Sequence, residues 1–149
     1  MKKILTLILI AVAFDAQAQS LGCGLDVMPE SEITYGCGCG YYYQTKPTLK
    51  PILQSKHFDF SELRVSVNGK MGTAEPINIE QIPTTAQVDS TFQQHYRLDG
   101  VDIILNNTVS FKCPAGSEGC EVLSFDVDAI VSSENCELTL TGLFGDCGC

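Results

Sequence analysis

The sequence predicts an all-β fold: a small antiparallel barrel or sandwich that is stapled by disulfide bonds. Three observations support this prediction. Apolar and polar residues alternate in several short segments, turn-forming Gly and Asn residues separate those segments, and eight cysteines are spread over a chain of 149 residues. A period of two is the pattern of a half-buried strand, and short strands at regular spacing are typical of barrels and sandwiches. A chain of this length is expected to form one domain with a real core.

The alternation is clearest near position 127. Five apolar residues there share one face of a predicted strand: Leu123, Phe125, Val127, Ala129 and Val131. The same pattern predicts further strands at 63–67, 77–79, 96–98, 101–105, 109–111 and 137–141. Asn68-Gly69 and Asp99-Gly100 are favoured two-residue hairpin turns, and Asn106-Asn107 is interpreted as a third turn.

Two regions lack a clear strand pattern. Residues 19–36 are polar and contain glycine, and residues 44–57 carry Pro47 and Pro51, which cannot donate a hydrogen bond to a sheet. We therefore expect a loop or a sheet edge at 44–57. This region also gathers three lysines and is expected to be solvated, with an anionic partner as the alternative: Lys46, Lys50 and Lys56.

The N-terminus has the three parts of a secretory signal peptide. Lys2 and Lys3 precede an apolar run of 11 residues at 4–14, and Ala16-Gln17-Ala18 fits the small-residue cleavage motif. We expect cleavage after residue 18, so that 19–149 forms a single exported β domain, periplasmic or secreted. The apolar run is too short to cross a bilayer core of roughly 30 Å, and the rest of the chain is predicted to have no transmembrane segment.

A second processing route starts from Ser20-Leu21-Gly22-Cys23, which is similar to the lipoprotein box in which the cysteine is acylated. The leucine sits one position late, and the apolar run ends well before Cys23. Acylation would also leave an odd number of cysteines, with an unpaired thiol in an oxidising compartment. Cleavage after residue 18 is therefore the preferred prediction.

Acidic residues dominate the charge. The full chain has a formal net charge of −9, and removal of 1–18 takes away two lysines and Asp15, which leaves −10. Such a surface repels phosphate groups, so we expect no nucleic-acid partner. Cations and basic groups suit it better. The predicted partner is an unidentified protein or small ligand.

The cysteine layout is the most specific pattern in the exported domain. All eight cysteines follow the signal peptide: Cys23, Cys37, Cys39, Cys113, Cys120, Cys136, Cys147 and Cys149. Disulfides form in oxidising compartments, and eight cysteines allow 105 pairings. Cys113–Cys120 is the first expected pair, because turn formers separate two strands there and so short a crosslinked loop contributes about 2–3 kcal/mol in the chain-entropy model.

The chain also carries two C-G-C motifs, which either close on themselves or pair with each other. Residues i and i+2 of a strand point to one side about 6.6 Å apart, too far for a disulfide without a tight turn. Antiparallel pairing instead sets Cys37 against Cys149 and Cys39 against Cys147, which would join the first strand to the last. The first such bond would contribute about 4.7 kcal/mol and the second much less. Elimination gives the last pair: Cys23 and Cys136.

Three functional interpretations compete. A non-catalytic exported domain with a binding or structural role is preferred, because no catalytic constellation stands out, and no cofactor is predicted. The first alternative is a thiolate site for Cu(I) or Zn(II) built from the C-G-C motifs, although an oxidising compartment favours disulfides. The second is a thiol–disulfide redox protein, although redox enzymes usually place C-x-x-C in a βαβ setting.

Residues that could carry catalysis are better explained as structural. His57 and Asp59 would share one face of a strand, but no serine partner can be named, and His95 is expected to be structural. The run Tyr41–Tyr43 should alternate between core and surface, with a stacking platform as the alternative. Two carboxylate pairs lack the spacing of a calcium motif and are expected to be solvated: Asp126 with Asp128, and Asp99 with Asp102.

The early C-x-C motif, the strand rhythm and the terminal cysteines resemble secreted netrin-like modules, which are built on an oligonucleotide-binding-type barrel. The resemblance covers cysteine placement and strand rhythm, and it implies a barrel of that type. The inhibitory edge of some such modules needs the C-x-C motif at the mature N-terminus. Residues 19–36 precede the motif here, so no inhibitory role is carried over.

Overall fold

The structure, a computed structural model, describes residues 22–44, 50–80 and 86–149. The predicted signal peptide 1–18 and the expected first mature residue, Gln19, lie outside the described residues. So do Ser20 and Leu21 of the lipoprotein-like box, and Lys46 and Pro47 of the predicted loop.

Strands make up most of the described chain, and a single 3-10 turn at Glu30–Glu32 is the helical element there. The nine strands of the described residues are β1 (Leu25–Asp26), β2 (Gly38–Tyr43), β3 (Leu53–Ser55), β4 (Leu63–Val67), β5 (Lys70–Ile79), β6 (Thr91–Leu98), β7 (Val101–Lys112), β8 (Leu123–Ser133) and β9 (Cys136–Gly148).

Eight of these strands, β2 to β9, form a closed antiparallel barrel. Each strand pairs with the next along the chain, and β9 pairs with β2 to complete the circle. The short β1 pairs with the end of β4 that β3 leaves free. The predicted all-β barrel or sandwich is confirmed and is a barrel, a form that leaves no open sheet edge to be protected.

Tight hairpins lie at one end of the barrel, which we call the turn end. Asn68-Gly69 joins β4 to β5 and Asp99-Gly100 joins β6 to β7, as predicted, and all four residues have positive φ. Hairpins of the primed type need that conformation at both central residues. Glu134-Asn135 joins β8 to β9 at the same end. The opposite end, called the cysteine end, carries the loop 113–122 and both C-G-C motifs.

The interpretation of Asn106-Asn107 as a turn is wrong. Both residues lie inside β7. The Asn107 side chain is 1 % exposed and donates to Gln94 Oε1 at 3.3 Å and to the Phe92 carbonyl at 3.4 Å. Buried polar groups are tolerated when they find partners. The Asn107 amide nitrogen has such partners, whereas its Oδ1 has none among the described residues.

The expectation of a loop or edge at 44–57 is wrong for its last part. β3 lies inside this range and pairs with β2 on one side and β4 on the other. Pro51 precedes the strand, and the next residue, Ile52, already donates its backbone N–H to Tyr41 O at 2.8 Å. The proline is harmless because its missing donor falls just outside the ladder.

Two irregularities expose residues of the predicted strands. The pairing register shifts between Pro76 and Asn78 in β5 and between Val109 and Phe111 in β7. Ile77 and Phe111 are 49 % and 47 % exposed as a result. A bulge places an extra residue on one strand and so breaks the alternation between faces.

Large side chains fill the barrel interior. The Phe92 ring meets Phe125 edge-on with centroids 5.1 Å apart, and its centroid lies 6.1 Å from that of Phe60. Tyr41 and Tyr96 are fully buried and donate to Gln94 Oε1 at 2.9 Å and Phe60 O at 3.0 Å. Burial raises the pKa of both hydroxyls, so they act as neutral donors. An eight-stranded barrel is just wide enough for such packing.

The resemblance to an oligonucleotide-binding-type barrel does not extend to the strand order. That barrel has five strands with Greek-key connections, whereas the strands here follow one another around the circle. The implied barrel type is therefore wrong, because cysteine placement and strand rhythm do not specify which strands pair.

Candidate functional site

Two disulfides join β2 to β9 where the barrel closes, a junction that we call the seam. Cys37 pairs with Cys149 and Cys39 with Cys147, at Cα–Cα distances of 4.1 and 4.0 Å. These are the cross-strand pairs that the sequence argument favours. Cys39 and Cys147 are 2 % and 1 % exposed, whereas Cys37 and Cys149 are exposed at the rim of the barrel.

The remaining disulfides are Cys23–Cys136 and Cys113–Cys120, with Cα–Cα distances of 5.9 and 5.7 Å. Both also agree with the favoured pairing. No cysteine of the described residues is free, so a thiolate metal site or a dithiol redox site would first need reduction of the seam. Within the described ranges, no group of three or more His, Cys, Asp or Glu side chains is arranged to hold a metal ion.

Glycines let neighbouring groups approach the outer face of the seam closely. Because Cys39 faces inward, alternation turns Gly38 and Gly40 outward, and Gly148 pairs with Gly38. The Tyr42 ring folds over Gly40, where an added methyl group would lie 2.6 Å from the ring carbon Cζ. A methyl group at Gly38 would overlap Ser55 O, and one at Gly148 would lie 3.2 Å from Glu121 O. The floor is therefore glycine backbone that its neighbours pack against closely.

The opposite wall is an irregular segment, 33–36, held by two polar side chains. Thr34 donates its backbone N–H to Gln54 Oε1 at 2.9 Å, and Gln54 Nε2 donates back to Thr34 O. Arg64 donates to the carbonyl and the carboxylate of Glu32. Gln54 and Arg64 project from the outer face of β3 and β4, so the segment lies across the outside of the barrel.

Tyr35 stands at the top of this wall and is 75 % exposed. Its hydroxyl donates to Glu30 Oε1, while Lys50 Nζ lies 3.0 Å from Glu30 Oε2. These two contacts lower the pKa of Glu30, and the hydrogen bond to Glu30 raises the pKa of Tyr35. The Lys50 charge is therefore balanced by Glu30.

Asp146 pairs with Gly40 across the strands, close enough to Tyr42 for its charge to act on the Tyr42 hydroxyl. Its Oδ1 accepts a hydrogen bond from Ser124 Oγ at 3.1 Å. Burial, followed by the charge of Asp146, raises the pKa of Tyr42. The Tyr42 ring also lies 6.4 Å, centroid to centroid, from Phe144. No described residue is hydrogen-bonded to the Tyr42 hydroxyl.

Together these walls enclose a cleft of about 340 Å³, which we call the seam groove. Its size falls within the usual range of ligand sites, which combine apolar surface with a few convergent polar groups. The sequence argument did not single out Gln54, Tyr35 or Asp146. The alternation of glycine with cysteine in both motifs was the available signal for a floor without side chains.

A second cleft, of about 440 Å³, opens at the turn end. Val67, Leu98 and Val101 form its apolar base, and Lys70 Nζ bonds Asp99 Oδ2 at 2.7 Å on its rim. We call it the turn-end recess. It offers apolar surface, but its rim charges are already paired with each other or lie on exposed turns.

Among the described residues, neither histidine ring is hydrogen-bonded to a serine, threonine or cysteine side chain. His57 and Asp59 lie in an exposed turn rather than on one strand face, so that expectation is wrong. Asp59 Oδ1 instead accepts the backbone N–H of Ser61 at 3.0 Å. The chain turns there because Phe60 adopts positive φ, which ends the extended conformation.

His95 has a structural contact on the outer wall. Its Nε2 lies 2.8 Å from Asp102 Oδ1, and Arg97 contacts both oxygens of Asp102, at 2.9 and 3.1 Å. Asp102 is thus not a solvated partner of Asp99, which pairs with Lys70. Asp126 and Asp128 are exposed, as predicted.

The tyrosine run alternates as predicted between the two faces of β2. Tyr41 is in the core and Tyr42 lies on the outer wall. Tyr43 is partly buried and donates to Leu25 O at 2.9 Å.

Comparison with known proteins identifies no relative: no family model, no curated protein and no solved structure matches this chain. Among the described residues, no helix is long and apolar enough to cross a membrane.

Proposed function

We propose that the protein is an exported, disulfide-closed β-barrel, periplasmic or secreted, that acts by binding and not by catalysis, and that the seam groove is its binding site. Four disulfides are consistent with an oxidising compartment. The acidic surface disfavours nucleic acid, and the partner is a protein or a small ligand with groups that fit the groove.

One observation carries the choice of site. The seam groove holds polar and aromatic groups that have little structural role, namely the Tyr42 hydroxyl, the second oxygen of Asp146 and the exposed ring of Tyr35. Exposed or unpaired groups that converge on a concave surface favour ligand recognition. The turn-end recess has apolar side chains at its base and fewer such groups.

A fragment screen by NMR tests the site. Labelled, oxidised protein 19–149 is titrated with a library of small polar and aromatic fragments. We expect amide shifts to concentrate in 38–42 and 146–149. Shifts centred on Val67, Leu98 and Val101 would move the binding site to the turn-end recess and contradict the proposal.

Export is tested separately by cell fractionation and intact mass. We expect the protein in the exported fraction, starting at Gln19, with a mass lower by eight hydrogens than that of the fully reduced chain 19–149. A full-length protein in the cytosol, or free thiols with bound copper or zinc, would contradict the proposal.

A further inference from the structure

We infer that the seam groove binds a guanidinium group, carried either by an arginine side chain of a partner or by a small arginine derivative. This inference rests on the proposed function, because it names the ligand chemistry of the same site. Three properties of the groove support it: an incompletely paired carboxylate, aromatic side chains on both walls and glycines at its base.

The carboxylate is Asp146, which is only partly exposed and has one oxygen bound by Ser124. None of the ion pairs among the described residues includes it. The groove's own cation, Lys50, is held by Glu30 at 3.0 Å. A partly buried carboxylate is stabilised by a cationic partner. The net charge of −9 attracts cations over longer distances.

The aromatic faces favour guanidinium over ammonium. Guanidinium is planar, more weakly hydrated than ammonium and stacks on aromatic rings. Tyr42, with Phe144 beside it at 6.4 Å, forms one wall, and Tyr35, 75 % exposed, stands on the other. Cations within about 6 Å of such rings are attracted by the ring quadrupole.

The floor suits a flat ligand. Gly38 and Gly148 line the groove between the two walls without side chains of their own, while the Tyr42 ring covers Gly40, so a planar group enters beside Tyr42 and reaches Asp146. Asp146, which has no cation among the described residues, disfavours an anionic ligand. A neutral polar ligand, such as a sugar, is the competing occupant and is an outcome of the test below.

The test compares arginine with citrulline, which has nearly the same shape but no charge. Oxidised protein 19–149 is titrated with Nα-acetyl-arginine amide and Nα-acetyl-citrulline amide, and affinity is followed by NMR. We expect arginine to bind at least tenfold more tightly and to shift the amides of Gly40, Asp146 and Gly148. The corresponding lysine derivative is expected to bind more weakly than arginine.

Two variants test whether arginine binding depends on the groove itself or on the acidic surface in general. Asp146→Asn is expected to weaken arginine binding at least fivefold. Asp128→Asn removes the same charge from an exposed position of β8, outside the groove, and is expected to change the affinity less than twofold. A Gly-Gly-Arg-Gly-Gly peptide distinguishes the two sources: markedly tighter binding of the peptide indicates a protein partner, and equal binding indicates a small ligand.

Equal binding of arginine and citrulline, or equal effects of the two variants, would overturn the guanidinium assignment. If fragments still shifted the groove in the screen described above, the proposed function would stand while this inference failed. If neither arginine nor any fragment shifted the groove, both would be wrong.

Discussion

Gly145 of β9 lies directly opposite Tyr41 of β2, and the Tyr41 ring covers the space that a side chain at position 145 would need. A methyl group there would lie 3.2 Å from the Tyr41 ring and 2.9 Å from Phe125 Cδ2. Two buried aromatic rings therefore meet over a backbone without a side chain, on the inner face of the seam.

The first prediction concerns this packing. Gly145→Ala should lower the free energy of unfolding by about 1–3 kcal/mol, because an added methyl group in a filled core forces rings off their preferred positions. Urea unfolding measures the change. Gly24→Ala is the matched control, since its methyl group would only reach ordinary contact with Asn68 Oδ1 at 3.5 Å. Equal losses in the two variants would contradict the packing argument.

The second prediction concerns the two seam disulfides, Cys37–Cys149 and Cys39–Cys147. Cys23–Cys136 already links the same two regions of the chain, so the seam disulfides close only a short ring made of 23–37 and 136–149. Removing both seam pairs by Cys→Ala should cost about 3.5 kcal/mol in the chain-entropy model. Removing only the rim pair, Cys37–Cys149, should cost much less, because the inner pair keeps the ring closed. A rim-pair variant as unstable as the variant without both pairs would refute this account.

Exposure predicts the order in which the seam disulfides are reduced. Thiol–disulfide exchange needs access of the attacking thiolate to sulfur, and Cys39 and Cys147 are almost fully buried while Cys37 and Cys149 are not. Under limiting dithiothreitol, alkylation and peptide mass spectrometry should label Cys37 and Cys149 first. Labelling of the inner pair before the rim pair would be inconsistent with the structure.

Asp102 predicts a pH-dependent contribution to stability. Burial raises its pKa, but hydrogen bonds from His95 and Arg97 outweigh this effect, so the folded-state pKa lies below the ordinary value. A carboxyl with a lowered pKa stabilises the fold above the unfolded pKa, about 3.9, and loses that contribution as the pH falls through the folded value. Asp102→Asn should therefore cost up to about 1 kcal/mol at pH 7 and almost nothing at pH 2.

Urea unfolding at the two pH values measures this difference. Asp126→Asn is the control, because Asp126 is exposed and forms no ion pair with the described residues. The explanation fails if the cost of Asp102→Asn is the same at both pH values.

Three buried polar side chains inside the barrel, Tyr41, Gln94 and Asn107, should contribute to stability in a coupled way. Gln94 Oε1 accepts from both Tyr41 Oη and Asn107 Nδ2. Gln94→Leu leaves the buried Tyr41 hydroxyl without this acceptor, whereas Asn107 Nδ2 keeps the Phe92 and Leu105 carbonyls. A loss of about 1–3 kcal/mol is expected. Adding Tyr41→Phe removes the stranded donor, so the double variant should lose less than the sum of the single changes. Additive losses in this cycle would show that the three side chains do not act as a unit.

The strand pattern and two hairpins could be predicted from local sequence alone. Asn68-Gly69 and Asp99-Gly100 specify their turns because few residues accept positive φ. Asn106-Asn107 has similar composition but lies in mid-strand, because Gln94 on the neighbouring strand supplies a buried partner. That partner is 13 residues away in sequence, and no local pattern reveals it.

The seam could be predicted in part. Period-two geometry favours the cross-strand pairing of the C-G-C motifs, which the structure also has. The seam groove was not foreseeable, because its outer wall depends on Gln54 holding Thr34 and on Glu30 holding Tyr35 and Lys50. Contacts of an irregular segment carry no sequence periodicity.

The alternation of cysteine inside and glycine outside makes the seam unusually sensitive to chain length. Inserting or deleting a single residue within β2 or the last half of β9 would reverse the two faces of that strand alone. Its sulfur atoms would then point to solvent while those of the other strand still pointed inward, and the groove floor would acquire cysteine side chains. Substitutions along this stretch should therefore be tolerated more readily than a change in the number of residues it contains.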